Sequence, residues 1–286
     1  MKKLKTIVLS GLLTLTLYGE QEIHHNHIGS SNFKINYGKF DFENSKKKDN
    51  GKSHAVEFDH QDNKHHYRLY YEKSTIKTMP IVPKDLEVKK YALKYGYALN
   101  KKSKLSFTYL TIDDNLMKET NGGHIYGVGY TYKALQAIQY FSDYKHFDVY
   151  QSDLKFGFKK SFSNWELMVR VLGKYIYLDN KNSNSFSRKA NRDYFTTGLK
   201  LHAHNKSYHL SAGTYLGKRM FAVMNEGLKV QHHAMEFKRS YLFALGKEFE
   251  NMDIYLRYAQ HKADEININS FNVTRKNIEV ELSYKF

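Results

Sequence analysis

The sequence predicts an all-β protein, a transmembrane antiparallel up-and-down β-barrel of 14 strands. Three observations support this fold class. Apolar and polar residues alternate in many segments, long and short connections follow each other in turn, and no apolar run beyond the N-terminus is long enough for a membrane helix. Alternation gives a strand one apolar and one polar face. A tilted strand crosses a bilayer in about 10 residues, whereas a helix needs about 20.

The composition narrows the class of protein further. The chain has 286 residues, with 45 Lys+Arg against 29 Asp+Glu, a net charge of +16, two prolines and no cysteine. The length fits one large domain or two small ones. The missing cysteines exclude a disulfide scaffold, a thiolate zinc site and a lipid-modified N-terminal cysteine. A basic chain could bind nucleic acid, but the alternating pattern favours a membrane setting, so no nucleic-acid partner is expected.

The N-terminus has the organisation of a secretory signal peptide. Three lysines among the first five residues precede a 13-residue apolar run, and Gly19 supplies a small residue for cleavage. The run is too short to span a bilayer. A buried N-terminal helix is the alternative. The predicted division of the chain is a signal peptide at 1–19, an N-terminal tail at 20–30 and a barrel domain at 31–286.

The last ten residues, N-I-E-V-E-L-S-Y-K-F, form the clearest strand. Apolar side chains from Ile278 to Phe286 share one face, and polar side chains from Asn277 to Lys285 share the other. Strands of soluble proteins are usually about half this long. This strand, with the leader, resembles the closing strand of Gram-negative outer-membrane β-barrel proteins of the porin-like type, without indicating a subfamily. The resemblance implies that Phe286 belongs to the assembly signal and that the N-terminal tail is periplasmic.

The same alternation recurs upstream, more weakly in the first third of the chain. Short turns are predicted near 61–64, 100–103, 133–136, 160–164, 205–207 and 250–252. Long polar segments are predicted near 44–52, 73–86, 112–122, 143–148, 179–191, 223–233 and 263–274. Seven long segments and six short turns give 14 strands, as in barrels with short periplasmic turns and longer outer loops. Merging the weak strands within 31–72 would give 12 strands, which is the alternative.

If the apolar face meets lipid, the polar face lines the interior. That face carries many cations, and its glycines, among them Gly96, Gly127 and Gly198, would leave open volume. Such a lumen predicts a narrow water-filled pore, in which Lys and Arg favour anions. Its charge also argues against a transporter of apolar solutes. The alternative is that the cations pair with lumenal acids as structural ladders. The predicted pore-lining residues are Arg68, Lys90, Lys94, Lys155, Arg170, Lys174, Lys200 and Arg257.

A histidine cluster is expected at one end of the barrel. His202, His204 and His209 flank one short turn and should meet at the inner rim. Three imidazoles can ligate zinc or change charge with pH, although polar rim residues are the simpler interpretation. His209 and Ser211 also have the H-x-S spacing of some outer-membrane lipid hydrolases. A nucleophile needs a base and an orienting group, and this pair is expected to face inward. No catalytic residue, cofactor or resident metal is predicted.

Together these observations predict an outer-membrane pore for passive diffusion of small hydrophilic solutes, biased toward anions, and not an enzyme. Two alternatives stay open. One is an outer-membrane lipid hydrolase that uses His209 and Ser211, and the other is a closed structural or adhesive barrel. The expected partners are outer-membrane lipids and lipopolysaccharide, small anionic or polar solutes, and the barrel-assembly machinery, which would contact Phe286.

Overall fold

The computed structural model describes residues 29–116, 120–180 and 190–286. The predicted signal peptide and nearly all of the predicted tail lie outside these ranges. Within them, no helix is both long and apolar enough to cross a membrane. The strands are β1 Ser30–Glu43, β2 Lys48–Gln61, β3 His65–Thr78, β4 Leu86–Asn100, β5 Ser103–Asp114, β6 His124–Tyr132, β7 Leu135–Asp143, β8 Phe147–Phe162, β9 Trp165–Asn180, β10 Asp193–His204, β11 Tyr208–Arg219, β12 Val223–Met224, β13 Lys229–Val230, β14 Met235–Glu248, β15 Met252–Glu265 and β16 Ser270–Lys285.

The first and last strands close the barrel. β1 pairs antiparallel with β16, and the backbones of Ser31 and Phe286 exchange two hydrogen bonds of 3.0 Å. Fourteen strands, β1–β11 and β14–β16, form the ring. This confirms the predicted fold class and count, and the 12-strand alternative is wrong. β12 and β13 form a separate two-stranded sheet within the connection between β11 and β14. Because every strand of the ring has two neighbours, no backbone edge faces lipid.

The outward face of the ring is apolar, as predicted. On β16, Ile278 is 55% exposed and Tyr284 is 52% exposed, whereas Glu279 and Glu281 are buried. Exposed apolar side chains recur on the other strands of the ring, and several of these strands bury charged side chains on the inner face. A soluble protein distributes these residues the opposite way, whereas a membrane barrel presents an apolar band to lipid.

The connections distinguish the two ends of the barrel. At one end, termed the turn end, six connections of two or three residues join the strands: 62–64, 101–102, 133–134, 163–164, 205–207 and 249–251. The other end, termed the loop end, carries the remaining connections, and 220–234 is the longest of those whose residues are all described.

Several strands continue further toward the loop end than the sequence predicted. β2 begins at Lys48 and β16 begins at Ser270, so the polar segments 44–52 and 263–274 are largely strand. Where a strand rises above the apolar band, its outward side chains meet water and no longer need to be apolar. Polar residues on both faces therefore remove the alternation on which the prediction depended.

The three inner glycines on which the predicted open volume depended are covered by neighbouring side chains, which corrects the sequence-based interpretation. A Cβ built on Gly127 would lie 2.6 Å from the Tyr140 ring, and one on Gly96 would lie 2.4 Å from the Lys104 side chain. Gly198 is similarly enclosed by Leu172 and a neighbouring tyrosine. Large side chains from adjacent strands cover these glycines, so the lumen is narrower than glycine content indicated.

The hydrophobic core lies inside the barrel, in its loop-end half. Residues 220–234, termed the inner segment, fold into the lumen, and Met220, Phe221 and Leu228 are fully buried there. The inner wall around them is apolar, whereas the prediction was a charged face along the whole lumen, so that prediction is wrong for this half. The buried apolar wall residues include Ile76, Leu86, Val88, Leu110, Ile112, Ile125, Phe147, Val149, Ile176 and Leu178.

Alanine at Gly127 is expected to destabilise the barrel by about 1–3 kcal/mol, because the new methyl group would displace the Tyr140 ring from a filled interior. Gly213 is the matched control, since a Cβ there has no neighbour closer than 3.4 Å and alanine should be tolerated. The measurement is urea unfolding of both variants in detergent micelles. Equal loss of stability in the two variants would show that the Tyr140 ring does not limit this space.

Candidate functional site

The inner segment enters the lumen along β8 and β9. The Val223 N–H donates to Gln151 Oε1 at 2.8 Å, and Gln151 Nε2 donates to the Val223 carbonyl oxygen at 2.8 Å. The same carbonyl oxygen accepts a hydrogen bond from Lys174 Nζ at 3.0 Å. A backbone hydrogen bond from Gln231 to Ala222 then closes the segment into a small hairpin. The wall therefore holds the backbone of the segment with polar side chains.

The tip of the inner segment carries a carboxylate. Glu226 accepts hydrogen bonds from Lys94 Nζ on β4 and from Lys155 Nζ on β8, the latter at 3.0 Å. Next to it, Gly227 lies so close to Thr108 on β5 that a Cβ would be 2.3 Å from the threonine methyl group. The tip therefore rests on the arc of wall between β4 and β8.

The returning part of the inner segment reaches the other side of the ring. Lys229 Nζ lies 3.5 Å from Glu279 Oε2 on β16 and 5.9 Å from the centroid of the Tyr70 ring on β3. In the ring, β16 and β3 lie on the far side from β8 and β9. The inner segment therefore spans the lumen from wall to wall.

The predicted pore-lining cations all lie on the inner face, but most of them are paired. Arg68 Nε is 2.6 Å from Asp59, Lys90 is 2.8 Å from Glu72, and Lys174 contacts Asp153. Arg257 bonds Glu279 and Glu281, with the latter contact at 2.6 Å. Lys94 and Lys155 share Glu226. In the described ranges, no ion pair involves Arg170 or Lys200. The ladder alternative therefore describes four of the eight residues, whereas Lys94 and Lys155 pair with the inner segment.

Glu226 and the inner segment were not identified from the sequence. The segment was predicted as a polar outer loop, although it begins with the apolar residues Met-Phe-Ala-Val. That run was the available signal, since an exposed loop has no reason to carry four consecutive apolar residues. Glu226 itself has no local signal, because its partner Lys94 is 132 residues away in the chain.

A cavity of about 650 Å³ occupies the turn-end half of the lumen and ends at Glu226. Its lining is strongly cationic, because eight basic side chains face two acidic ones, Asp62 and Glu226. A low-dielectric wall with one sign of charge concentrates ions of the opposite sign. The basic residues of the lining are Lys64, Lys94, Lys101, Lys102, Lys104, Lys133, Lys155 and Arg170.

Two charges of the inner segment are stabilised by the wall. Burial opposes the charge of Glu226, but Lys155 and Lys94 outweigh it and hold the pKa of the carboxyl well below its ordinary value. Burial also opposes the charge of Lys229, but Glu279 and another acid outweigh it and raise its pKa. Both groups therefore stay charged around neutral pH.

The inner segment also buries two neighbouring imidazoles. The rings of His232 and His233 have centroids 4.2 Å apart, and both side chains are buried. Burial lowers the pKa of each imidazole well below its ordinary value, and nearby cations add to this effect. Three wall cations, Lys48, Lys90 and Arg275, oppose protonation of one or both rings. The carboxylate of Glu72 favours protonation of His232.

The rim histidines meet at the turn end, with ring centroids 5.5–5.6 Å apart among His202, His204 and His209. The Nε2 atoms of His204 and His209 lie 2.8 and 3.2 Å from Glu166 and Glu248, so each ring is directed toward its own carboxylate. Within the described residues, no group of three or more His, Cys, Asp or Glu side chains is arranged to hold a metal ion.

The H-x-S residues do not form the pair on which the lipid-hydrolase alternative depends. Ser211 Oγ lies 2.6 Å from Nδ1 of His202 on the neighbouring strand, whereas His209 bonds Glu248. The contact between His209 and Ser211 that the lipid-hydrolase alternative requires is therefore absent from this structure. Alternating residues of one strand are further apart than directly paired residues of two strands, so cross-strand pairing decides the contact.

Acidification is expected to favour release of the inner segment. In the released state His232 and His233 would titrate near the ordinary value of about 6.5, whereas in the inserted state their pKa values are well below it. The released state therefore binds more protons below about pH 6.5, and the inserted state loses stability as the pH falls. Conductance across a planar bilayer should rise between pH 7.5 and pH 5.

The double variant His232→Phe/His233→Phe should remove this pH dependence, because it keeps buried bulk and removes the titratable groups. His124→Phe is the control, since His124 stacks on Tyr109 at the outer face. A pH response that persists unchanged in the double variant would contradict the assignment to these two imidazoles.

Comparison with known proteins supports the fold. A bacterial polysaccharide outer-membrane secretin superposes with a TM-score of 0.52 at 9% identity, covering 90% of this chain and 98% of that one. The outer-membrane protein Omp33 of Acinetobacter baumannii superposes with a TM-score of 0.49 at 8% identity, covering 90% of this chain and 99% of that one. A deletion mutant of the monoaromatic hydrocarbon channel TodX superposes with a TM-score of 0.49 at 10% identity, covering 90% of each chain. No family model and no curated protein sequence matches. The secretin superposition and the closed ring of 14 strands together give the chain the fold of outer-membrane β-barrel proteins, as the sequence predicted.

Proposed function

We propose that the chain is a gated outer-membrane channel for small hydrophilic solutes, with a preference for anions. The observation that carries this proposal is the cationic cavity at the turn end, which extends to the middle of the lumen and stops at a single segment of chain. The wall behind the segment is a complete ring of 14 strands, and rings wider than about eight strands enclose space beyond their own side chains. Displacing the inner segment would connect the cavity with the loop end.

The anion preference follows from the charge of the cavity. Most wall cations are neutralised by wall acids, so they contribute little net field. The cavity nevertheless keeps eight basic side chains against two acidic ones. Such an excess raises the local concentration of anions and lowers their barrier to passage.

The membrane setting and the partners form part of the same proposal. The exposed apolar band would contact outer-membrane lipids and lipopolysaccharide, with the turn end at the periplasm, as is usual for such barrels. Phe286 is 65% exposed at the end of the closing strand, where the assembly machinery could reach it. The solutes would be small anions and polar molecules.

A closed structural barrel is the second candidate, and the apolar packing around the inner segment favours it. The tilted rings of Phe221 and Phe147 pack against each other with centroids 4.8 Å apart, and Leu228 and Met220 are fully buried. A core packed this closely could be permanent. The inner segment leaves the lumen in the channel and stays in the lumen in the closed barrel. Because only the open lumen conducts ions, a conductance measurement distinguishes the two candidates.

A shortened variant should conduct more than the unaltered chain. Ala222 and Gln231 are joined by a 2.9 Å backbone hydrogen bond, so Asn-Gly can replace residues 223–230 as a two-residue turn between them. In planar bilayers we expect a steady conductance at least about threefold higher, since the segment no longer spans the lumen. Under a KCl gradient the reversal potential should be anion-favouring.

The control is Glu250→Gln, a change in a turn-end connection outside the segment, which should conduct like the unaltered chain. A folded, heat-modifiable shortened variant with no conductance would reject the channel and favour the closed barrel. Conductance without an anion-favouring reversal potential would retain the channel and reject the anion preference.

A further inference from the structure

The turn-end cavity ends at two lysines whose present partner belongs to the inner segment. Lys94 and Lys155 project from β4 and β8, and their ammonium groups converge on the carboxylate of Glu226. Their side chains are only 6% and 16% exposed, and both line the cavity. Two buried ammonium groups that converge on one point form a site for a carboxylate. Glu226 occupies that site from within the molecule.

The backbone around Glu226 adopts an unfavourable conformation. Asn225, Glu226 and Gly227 have φ angles of 47°, 55° and 99°, all in the left-handed region. Glycine adopts this region freely, whereas glutamate disfavours it. Such a conformation persists only where the surroundings impose it, and here the two lysines and the close contact with Thr108 impose it. A ligand that replaced the Glu226 carboxylate would therefore also allow residues 225–227 to leave this unfavourable backbone conformation.

A third cation lies beside the lysine pair. Arg170 lines the same cavity, and it has no ion pair with any residue in the described ranges. It pairs across the sheet with Gly157, two residues from Lys155 on the same face of β8. Two residues along a strand correspond to about 6.6 Å. A second acidic group a few ångströms from the first would therefore find a partner in Arg170.

We propose that Lys94, Lys155 and Arg170 form a binding site for a small dicarboxylate, which arrives through the turn-end cavity, displaces the Glu226 carboxylate and thereby favours release of the inner segment. The proposal deepens the proposed function, on which it rests for the coupling to an open lumen. Binding and release are then linked, because the ligand and Glu226 compete for the same two ammonium groups. The channel would open in response to a solute on its turn side.

The test uses the complete folded barrel in detergent micelles, with succinate as the probe and isothermal titration calorimetry at constant ionic strength. Succinamide is the matched neutral compound, since it has the same carbon skeleton and no charge. We expect saturable binding of succinate and none of succinamide. Similar heats for the two compounds would overturn the proposal, because the site would then not recognise carboxylates.

Three variants separate this site from the general field of the cavity. Glu226→Gln should bind succinate about tenfold more tightly, since its internal competitor loses its charge. Lys94→Gln should bind about tenfold more weakly, since a charge-assisted contact is lost. Lys102→Gln removes the same charge from the rim of the same cavity and should change the affinity by less than about twofold.

Unchanged affinity in Glu226→Gln would overturn the competition between ligand and segment, and this variant keeps the test decisive even if Lys94→Gln fails to fold. Equal losses of succinate affinity in Lys94→Gln and Lys102→Gln would also overturn the site.

Adding succinate at the turn side of a bilayer should raise the conductance of the unaltered chain but not that of the shortened variant. Conductance without succinate binding would reject only this site, whereas binding without conductance would reject the proposed function.

Discussion

A closed ring of 14 strands encloses more space than the side chains of its wall can fill, and this constraint shapes the rest of the structure. Either water or a piece of the chain must take up the remaining volume. Here residues 220–234 fill the loop-end half, and a cavity of about 650 Å³ remains at the turn end. The division of the lumen into a packed half and an open half follows from where this one segment lies.

The charges of the lumen follow the same division. In the wall, acids and bases from neighbouring strands form ladders, so that few buried charges lack a partner. Arg257 between Glu279 and Glu281 is an example. The inner segment completes this pattern with its own charges, because Glu226 neutralises two wall lysines and Lys229 approaches Glu279. The wall and the inner segment are therefore held together by the charged contacts of Glu226 and Lys229, in addition to apolar packing.

The wall could be predicted from the sequence because its physics is local. Lipid on one side and an interior on the other impose a period of two, which β16 shows over its last ten residues and β7 shows in a weaker form. Strand ends above the membrane were missed, since water on the outer face removes the period. The inner glycines were misinterpreted, because the side chain that covers Gly127 comes from the next strand.

The interior could be predicted only in part. The sequence identified the inward-facing cations, but their partners depend on registers between strands and on a segment more than a hundred residues away. One signal for the filled half was present. Near the loop end, runs such as Tyr175-Ile176-Tyr177-Leu178 are apolar on both faces, which is typical of a strand with lipid on one side and a packed core on the other. An apolar inner face requires an apolar partner, and the run from Met220 to Val223 supplies it.

The most direct test of this account is to lock the inner segment in place and measure conductance. A Cβ at Gly227 would lie 3.0 Å from that of Thr108, so moving the two residues slightly apart gives the separation of about 3.8 Å found in disulfides. The chain has no other cysteine. At pH 5, the variant Thr108→Cys/Gly227→Cys should be closed when oxidised and should conduct after reduction in the same bilayer. The conductance of the single variant Gly227→Cys should not change on reduction. Equal conductance before and after reduction, with the disulfide verified by mass spectrometry, would show that the segment does not gate the lumen.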